Sequence, residues 1–272
     1  MATDNFTFTK FSKNVFYSKL NARLVDMADV GSSQRIVDLA CGTGGVTQLI
    51  LERLRGAKES VIIAIDHSAT ALKQAMENLK DARDSAVHFV QSRVEPLSET
   101  VKESVDTIFF CNAIHYVTDK DALLAEISKT LKPGGQFAFN TSFFEGGQPP
   151  DSLAFYRKWM LKASRTLRRD YGLAPISSKK VESRRHLTPD QYRELMESHS
   201  LLVVKQEIDE VKVPLEGWLD ISTFEDFIIG IMPGVPLDKA SAALMKGVTE
   251  TFRDMEIDHV TRNWLGVVAV RV

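Results

Sequence analysis

The stretch Val37-Asp38-Leu39-Ala40-Cys41-Gly42-Thr43-Gly44-Gly45 limits what this chain can fold into more than any other. It joins an apolar, strand-like run over residues 35–40 to a helical pattern over about 45–54. Glycines at such a junction let the backbone approach a ligand with no side chain in between. The unit then recurs. A second strand is expected over 61–66 and its helix over about 69–80, followed by strands over 87–91 and 105–111, a helix over about 120–131 and a strand over 136–142. Alternation at this spacing predicts parallel strands joined by right-handed crossovers, and hence a doubly wound α/β core.

The flanking segments read differently. Val15, Phe16, Leu20, Leu24, Val25 and Met27 recur at helical spacing, which predicts an amphipathic helix over 12–30. Pro133-Gly134-Gly135 reads as a helix stop and turn before the fifth strand. Beyond Ser142, Gly146-Gly147-Gln148-Pro149-Pro150 marks the edge of the regular core, and a helix is expected over about 151–171. Thr188 followed by Pro189 starts another helix, with Thr188 as N-cap. A strand near 202–211, helical signals over 217–255 broken by Pro233-Gly234-Val235-Pro236, and a final strand over 264–272 complete the chain. The expected organisation is a helical lid over 1–34, a ligand-binding core over 35–145, a helical insertion over 146–187, and completion of the core over 188–272 with cap helices inserted at about 217–256. Seven strands in one mostly parallel sheet, with helices on both faces and a helical cap, follow from that order.

A chain of 272 residues suits one large α/β domain or one domain carrying a cap. Its formal net charge of -2 gives no general attraction to a phosphate backbone, so nucleic acid is not expected as a partner. Cys41 and Cys111 are too few for a disulfide framework and match no zinc spacing; reduced thiols and no metal are expected. Residues 1–10 lack the apolar core of a signal peptide, and no apolar run approaches the roughly 20 residues of a membrane helix. A cytoplasmic protein with no membrane span is therefore expected. No feature speaks to an oligomeric state.

Two acids carry the chemical reading. Asp38, at the end of its strand, is placed to meet an ammonium group directly or through water. Asp66 closes the second strand, where an acid can accept hydrogen bonds from two ribose hydroxyls; the alternative is a solvated residue capping the next helix. The glycine-rich turn one βα unit upstream favours the ligand. A nicotinamide dinucleotide fits less well, because Thr47 stands where the third glycine of G-x-G-x-x-G belongs and Asp38 would repel a pyrophosphate.

Through Asp38 to Gly45, Ile65-Asp66-His67-Ser68, Asn112-Ala113-Ile114-His115-Tyr116-Val117 and Leu131-Lys132-Pro133-Gly134-Gly135, the sequence resembles the class I S-adenosylmethionine-dependent methyltransferases of small-molecule type, which have a Rossmann-like fold. The resemblance covers about 35–142 well and the later strands loosely. It implies S-adenosyl-L-methionine as cofactor and S-adenosyl-L-homocysteine as product. It further implies that Asp38, Ala40, Gly42 and Gly44 surround the methionine part, that Asp66 holds the ribose, and that His67 flanks the adenine. Many relatives place an acid after the third strand for the adenine amino group; here Gln91-Ser92-Arg93-Val94-Glu95 puts Arg93 at that place. Either Glu95 substitutes, or the Val94 backbone amide and stacking on Arg93 hold the adenine. Asn112 would offer its carbonyl to the ammonium, and Tyr17, with Phe11 and Phe16 nearby, would lie in a helix closing over the cofactor.

Methyl transfer is an in-line displacement, to which positioning of the acceptor contributes most. A hydroxyl acceptor also needs a base, and His115 is the titratable group at the fourth strand's edge. The alternative is a histidine that packs under the loop. Cys41 has no His or acid in evident partnership and is expected to fill the turn rather than to act as a nucleophile. Phe224, Phe227, Ile228, Ile231 and Met232 either line an apolar acceptor pocket or anchor the cap to the core. The basic residues between Arg157 and Arg185 read as a solvated face, or else as a draw for an anionic or carrier-bound acceptor. The expected function is methylation, at oxygen or carbon, of a small apolar metabolite. The competing function is a protein that binds the same cofactor for a non-methylating reaction or a regulatory role.

Overall fold

The structure is a computed structural model that describes residues 6–54, 60–81, 86–176 and 186–272. In chain order its α-helices are α1 Thr9–Ser12, α2 Val15–Ala28, α3 Gly45–Arg53, α4 Ala69–Asn78, α5 Leu97–Thr100, α6 Lys120–Thr130, α7 Leu153–Thr166 (continued by a π-helical turn, Leu167–Tyr171), α8 Pro189–Glu197, α9 Leu215–Ile221, α10 Glu225–Ile231 and α11 Leu237–Met255. The strands are β1 Arg35–Leu39, β2 Val61–Asp66, β3 Ala86–Gln91, β4 Val105–Cys111, β5 Leu131–Thr141, β6 Leu201–Pro214 and β7 His259–Arg271. They form one seven-stranded sheet in the order β3-β2-β1-β4-β5-β7-β6. Strands β1 to β5 pair in parallel, and β7 runs antiparallel to β5. The expected doubly wound sheet is therefore present.

The chain divides into a sheet unit, residues 18–147, 183–209 and 264–272, and a helical unit, residues 1–17, 148–182 and 210–263. In the sheet unit, alternate residues of each parallel strand enter cores on opposite faces. Val37 and Leu39 of β1 pack with Leu123, Leu124 and Ile127 of α6 and with Tyr192 and Met196 of α8, whereas Ile36 packs with Leu24 and Val25 of α2 and Ile50 of α3. Burial on both faces is why the strands read as continuous apolar runs instead of alternating ones. The predicted cap of α8 is also present: Thr188 accepts from the Gln191 N–H, and the Gln191 side chain accepts from the Thr188 N–H.

The fifth strand departs from expectation. It already begins at Leu131, which pairs with Val105, while the next pair is Gln136 with Thr107. Pro133-Gly134-Gly135 is thus a bulge inside β5 rather than a turn before it. Proline has no N–H to give the ladder, and Gly134 sits at φ 78°, so the chain can loop out and rejoin. The helix expected over 12–30 is α2, Val15–Ala28, with the short α1 preceding it, which is a smaller difference.

In the helical unit, α7 and α11 approach so closely that a Cβ on Gly247 would lie 2.8 Å from the Ala163 nitrogen. Trp159 donates its indole N–H to the Leu244 carbonyl at 2.9 Å across this contact, and its ring stacks on Phe227. Of the five apolar cap residues, Phe227, Ile228 and Met232 are buried, whereas Phe224 and Ile231 are half-buried. Part of the basic stretch is paired: Lys162 of α7 meets Glu250 and Asp254, and Arg169, just beyond α7, meets Asp170, which also pairs with Lys246 of α11. Residues 179, 180, 184 and 185 of that basic stretch lie outside the described residues. Among the described residues, no helix is long and apolar enough to cross a membrane.

Candidate functional site

After β1 ends at Leu39, Ala40 (φ 57°), Gly42 (φ 54°) and Gly44 (φ 86°) all adopt left-handed backbone conformations. Glycine does this freely, whereas Ala40 does so under strain. A Cβ on Gly42 would meet nothing within 4 Å, so bare backbone faces open space there. A Cβ on Gly44 would sit 3.0 Å from Leu79 Cδ1 and 3.2 Å from Ala75 Cβ, which means that this glycine lets the end of α4 close on the turn. The turn is tied to β2, because the Cys41 N–H donates to the Ile65 carbonyl at 2.9 Å and the Gly42 N–H to Asp66 Oδ2 at 2.8 Å.

The two predicted acids come together at this edge. Asp38 pairs in register with Ala64, so its strand neighbour ends two residues further on at Asp66. Both are buried. Asp38 Oδ2 accepts from the Thr47 hydroxyl at 2.6 Å. Burial pushes the Asp38 carboxyl up to about 7; the Thr47 hydrogen bond opposes the rise and the Asp66 carboxylate adds to it. Asp66 is not the solvated cap of the alternative reading: its second oxygen accepts from the Ser68 N–H at 2.8 Å, while Ser68 itself caps α4. Two buried carboxyl groups thus lie beside open backbone.

A second, neutral cluster lies at the ends of β4 and β5. Asn112 follows β4 with φ 51°, and its N–H donates to both the backbone oxygen and Oδ1 of Asn140, each at 3.0 Å. Its side-chain oxygen accepts from the Trp264 indole at 2.6 Å, and its amide nitrogen lies 3.5 Å from Asn21 Oδ1. Asn140 donates to the same Asn21 oxygen at 3.0 Å. Asn21, Asn140 and Trp264 escaped the sequence reading. The signal was a lone amide inside the apolar run of β5 and another on the apolar face of α2.

His115 is buried, with Nδ1 at 3.2 Å from Thr141 Oγ1 and its ring between Tyr116 and Phe143, both at 4.1 Å between centroids. It thus lies at the β4–β5 end, within a packed stack. His67 is exposed, with Nδ1 at 3.5 Å from Asp66 Oδ1. Arg93 and Glu95 are exposed, and Val94 is half-buried against the core. Tyr17 falls in the helical unit, where its ring packs edge-on against Phe8 and Phe11. Burial pushes the thiols of Cys41 and Cys111 far up, with neighbouring acids adding to the effect, so neither is a ready thiolate.

A family model described as a methyltransferase domain matches residues 31–181. Over 120 residues the chain is 34% identical to a trans-aconitate 2-methyltransferase of Acidovorax sp., covering 44% of this chain and 40% of the relative. Over 113 residues it is 36% identical to a ubiquinone/menaquinone biosynthesis C-methyltransferase of Xylella fastidiosa, covering 41% of this chain and 44% of the relative. The chain thus spans about two fifths of the length of these curated relatives. Among solved structures, a candidate methyltransferase from Bacillus halodurans superposes with a TM-score of 0.57 at 16% identity, over 92% of this chain and 98% of that one.

Proposed function

The chain belongs to the methyltransferase-domain family, whose model covers more than half of its 272 residues, and on that premise we propose that it transfers a methyl group from S-adenosylmethionine to a small apolar metabolite. One observation carries the proposal: Asp38 and Asp66 lie buried at the ends of adjacent strands, tied to a turn whose backbone is open at Gly42. Such an edge suits a ligand with an ammonium-bearing amino-acid part and a ribose. Asp38, Ala40, Gly42 and Gly44 would hold the amino-acid part, Asp66 the ribose, His67, Arg93 and Val94 the adenine, and Asn112 the ammonium. When bound, the cofactor supplies a methyl group on a positively charged sulfur.

The chain's own residues then bind, orient and, for a hydroxyl acceptor, remove a proton. His115 is the group proposed to take that proton as the methyl–oxygen bond forms and the methyl–sulfur bond breaks. Replacement His115→Gln is expected to lower kcat about 100-fold on such an acceptor, since a positioned base typically contributes 10²–10⁴-fold. Unchanged turnover would assign His115 to the stack with Tyr116 and Phe143 alone. Those two half-buried rings support a planar or apolar acceptor, and the names of the two curated relatives concern small molecules.

Calorimetry with S-adenosylhomocysteine and with NAD tests the cofactor. Binding of the first and indifference to the second is expected; the reverse would overturn the proposal. Labelled S-adenosylmethionine in a metabolite extract, read by mass spectrometry, tests the acceptor. A labelled small molecule is expected, whereas cofactor binding without any labelled product would favour a non-methylating role.

A further inference from the structure

We infer that Trp264, Asn140 and Asn21 are positioning residues that hold Asn112 for the amino-acid end of the bound nucleoside, an inference that rests on the cofactor proposed above. Asn112 is held at its N–H by Asn140 and at its side-chain oxygen by Trp264, and its amide nitrogen lies next to Asn21. The network leaves the backbone carbonyl of Asn112 as the group it does not engage. Asn112 is left-handed at φ 51° and stands one residue beyond the end of β4, the strand that pairs with β1, which carries Asp38. Asparagine visits this conformation more readily than most residues, and the three partners fix it there.

Economy of packing does not explain the arrangement. Asn21, Asn140 and Trp264 are each under 5% exposed, and buried amides are costly unless fully hydrogen-bonded, so apolar side chains would fill the same space more simply. The partners also come from three distant segments: α2, β5 and β7. Their common feature is contact with the residue that follows β4 or with one another.

The amino-acid end and the nucleoside end of the ligand can be probed separately. S-adenosylhomocysteine carries both, whereas methylthioadenosine lacks the amino acid. In the full chain, Trp264→Phe keeps an aromatic ring but removes the N–H donor. It is expected to weaken S-adenosylhomocysteine about tenfold by calorimetry, the loss of roughly one good hydrogen bond, and to leave methylthioadenosine within about twofold. Asn21→Ala is the second variant, read in the same way should Trp264→Phe not fold. Equal weakening of both ligands would overturn the inference in favour of a purely structural network. So would unchanged affinity for S-adenosylhomocysteine. Failure of the unaltered protein to bind S-adenosylhomocysteine would instead overturn the cofactor proposal, and the positioning role with it.

Discussion

Two buried polar clusters sit on one sheet edge, and they solve opposite problems. At the ends of β1 and β2, Asp38 and Asp66 are acids held by hydroxyl and backbone N–H donors, and burial leaves Asp38 ionising only near 7. At the ends of β4 and β5, Asn21, Asn112, Asn140 and Trp264 are neutral and satisfy one another. The neutral cluster pairs amide with amide and indole, whereas the acidic one gathers two carboxyl groups that a positive group would complement. On the proposed reading, a ligand with an ammonium-bearing amino-acid end has use for both, one as counter-charge and the other as fixed geometry.

The strongest way to break this contrast is Asp38→Asn. Loss of a charge-assisted contact in a buried place is expected to weaken S-adenosylhomocysteine about 100-fold, while the ligand-free protein melts no lower than before because a buried charge is gone. Lower affinity together with a lower melting temperature would instead make Asp38 a structural residue.

Next in size is the response to pH. The Asp38 carboxyl is raised in the folded chain, so the native state holds its proton more tightly than the unfolded state does. Its contribution therefore makes the ligand-free protein lose stability as pH rises from the ordinary 3.8 towards about 7. Affinity for S-adenosylhomocysteine, whose ammonium would meet the ionised Asp38, runs the other way, falling as pH drops below about 7 with a limiting slope of about tenfold per pH unit. Calorimetry across pH 5 to 8 reads the slope. Asp38→Asn should flatten it and Trp264→Phe should leave it unchanged; a slope that Trp264→Phe abolishes would erase the division between the clusters.

The smallest expected effect sharpens the acidic side. Thr47→Val keeps the shape of a fully buried residue and deletes the 2.6 Å hydrogen bond that opposes the Asp38 rise. Affinity at pH 7 should drop about fivefold, roughly 1 kcal/mol for one hydrogen bond, and the midpoint of the pH profile should move up. A midpoint that stays put would show that Thr47 does not govern the Asp38 charge.

Legibility in the sequence follows how far apart the interacting residues lie. The parallel strands could be read because burial on both faces writes apolar runs, and the α8 cap because Thr188, Pro189 and Gln191 act within one turn. Asp38, Gly42 and Asp66 were readable since a single βα unit joins them. Pro133-Gly134-Gly135 was misread as a turn because its local chemistry is that of a turn; only pairing of Leu131 with Val105 makes it a bulge.

By itself, then, the sequence determined the alternation of strands and helices, the glycine-rich turn and the acids on either side of it, all of them products of local periodicity and backbone sterics. Tertiary structure alone decided which distant polar groups meet. Asn21 and Asn140 are 119 residues apart, and Asn112 and Trp264 are 152 apart, and nothing in a local pattern encodes such pairs. They are chosen when the sheet places β4, β5 and β7 side by side and the low dielectric of the interior penalises any amide left without a partner.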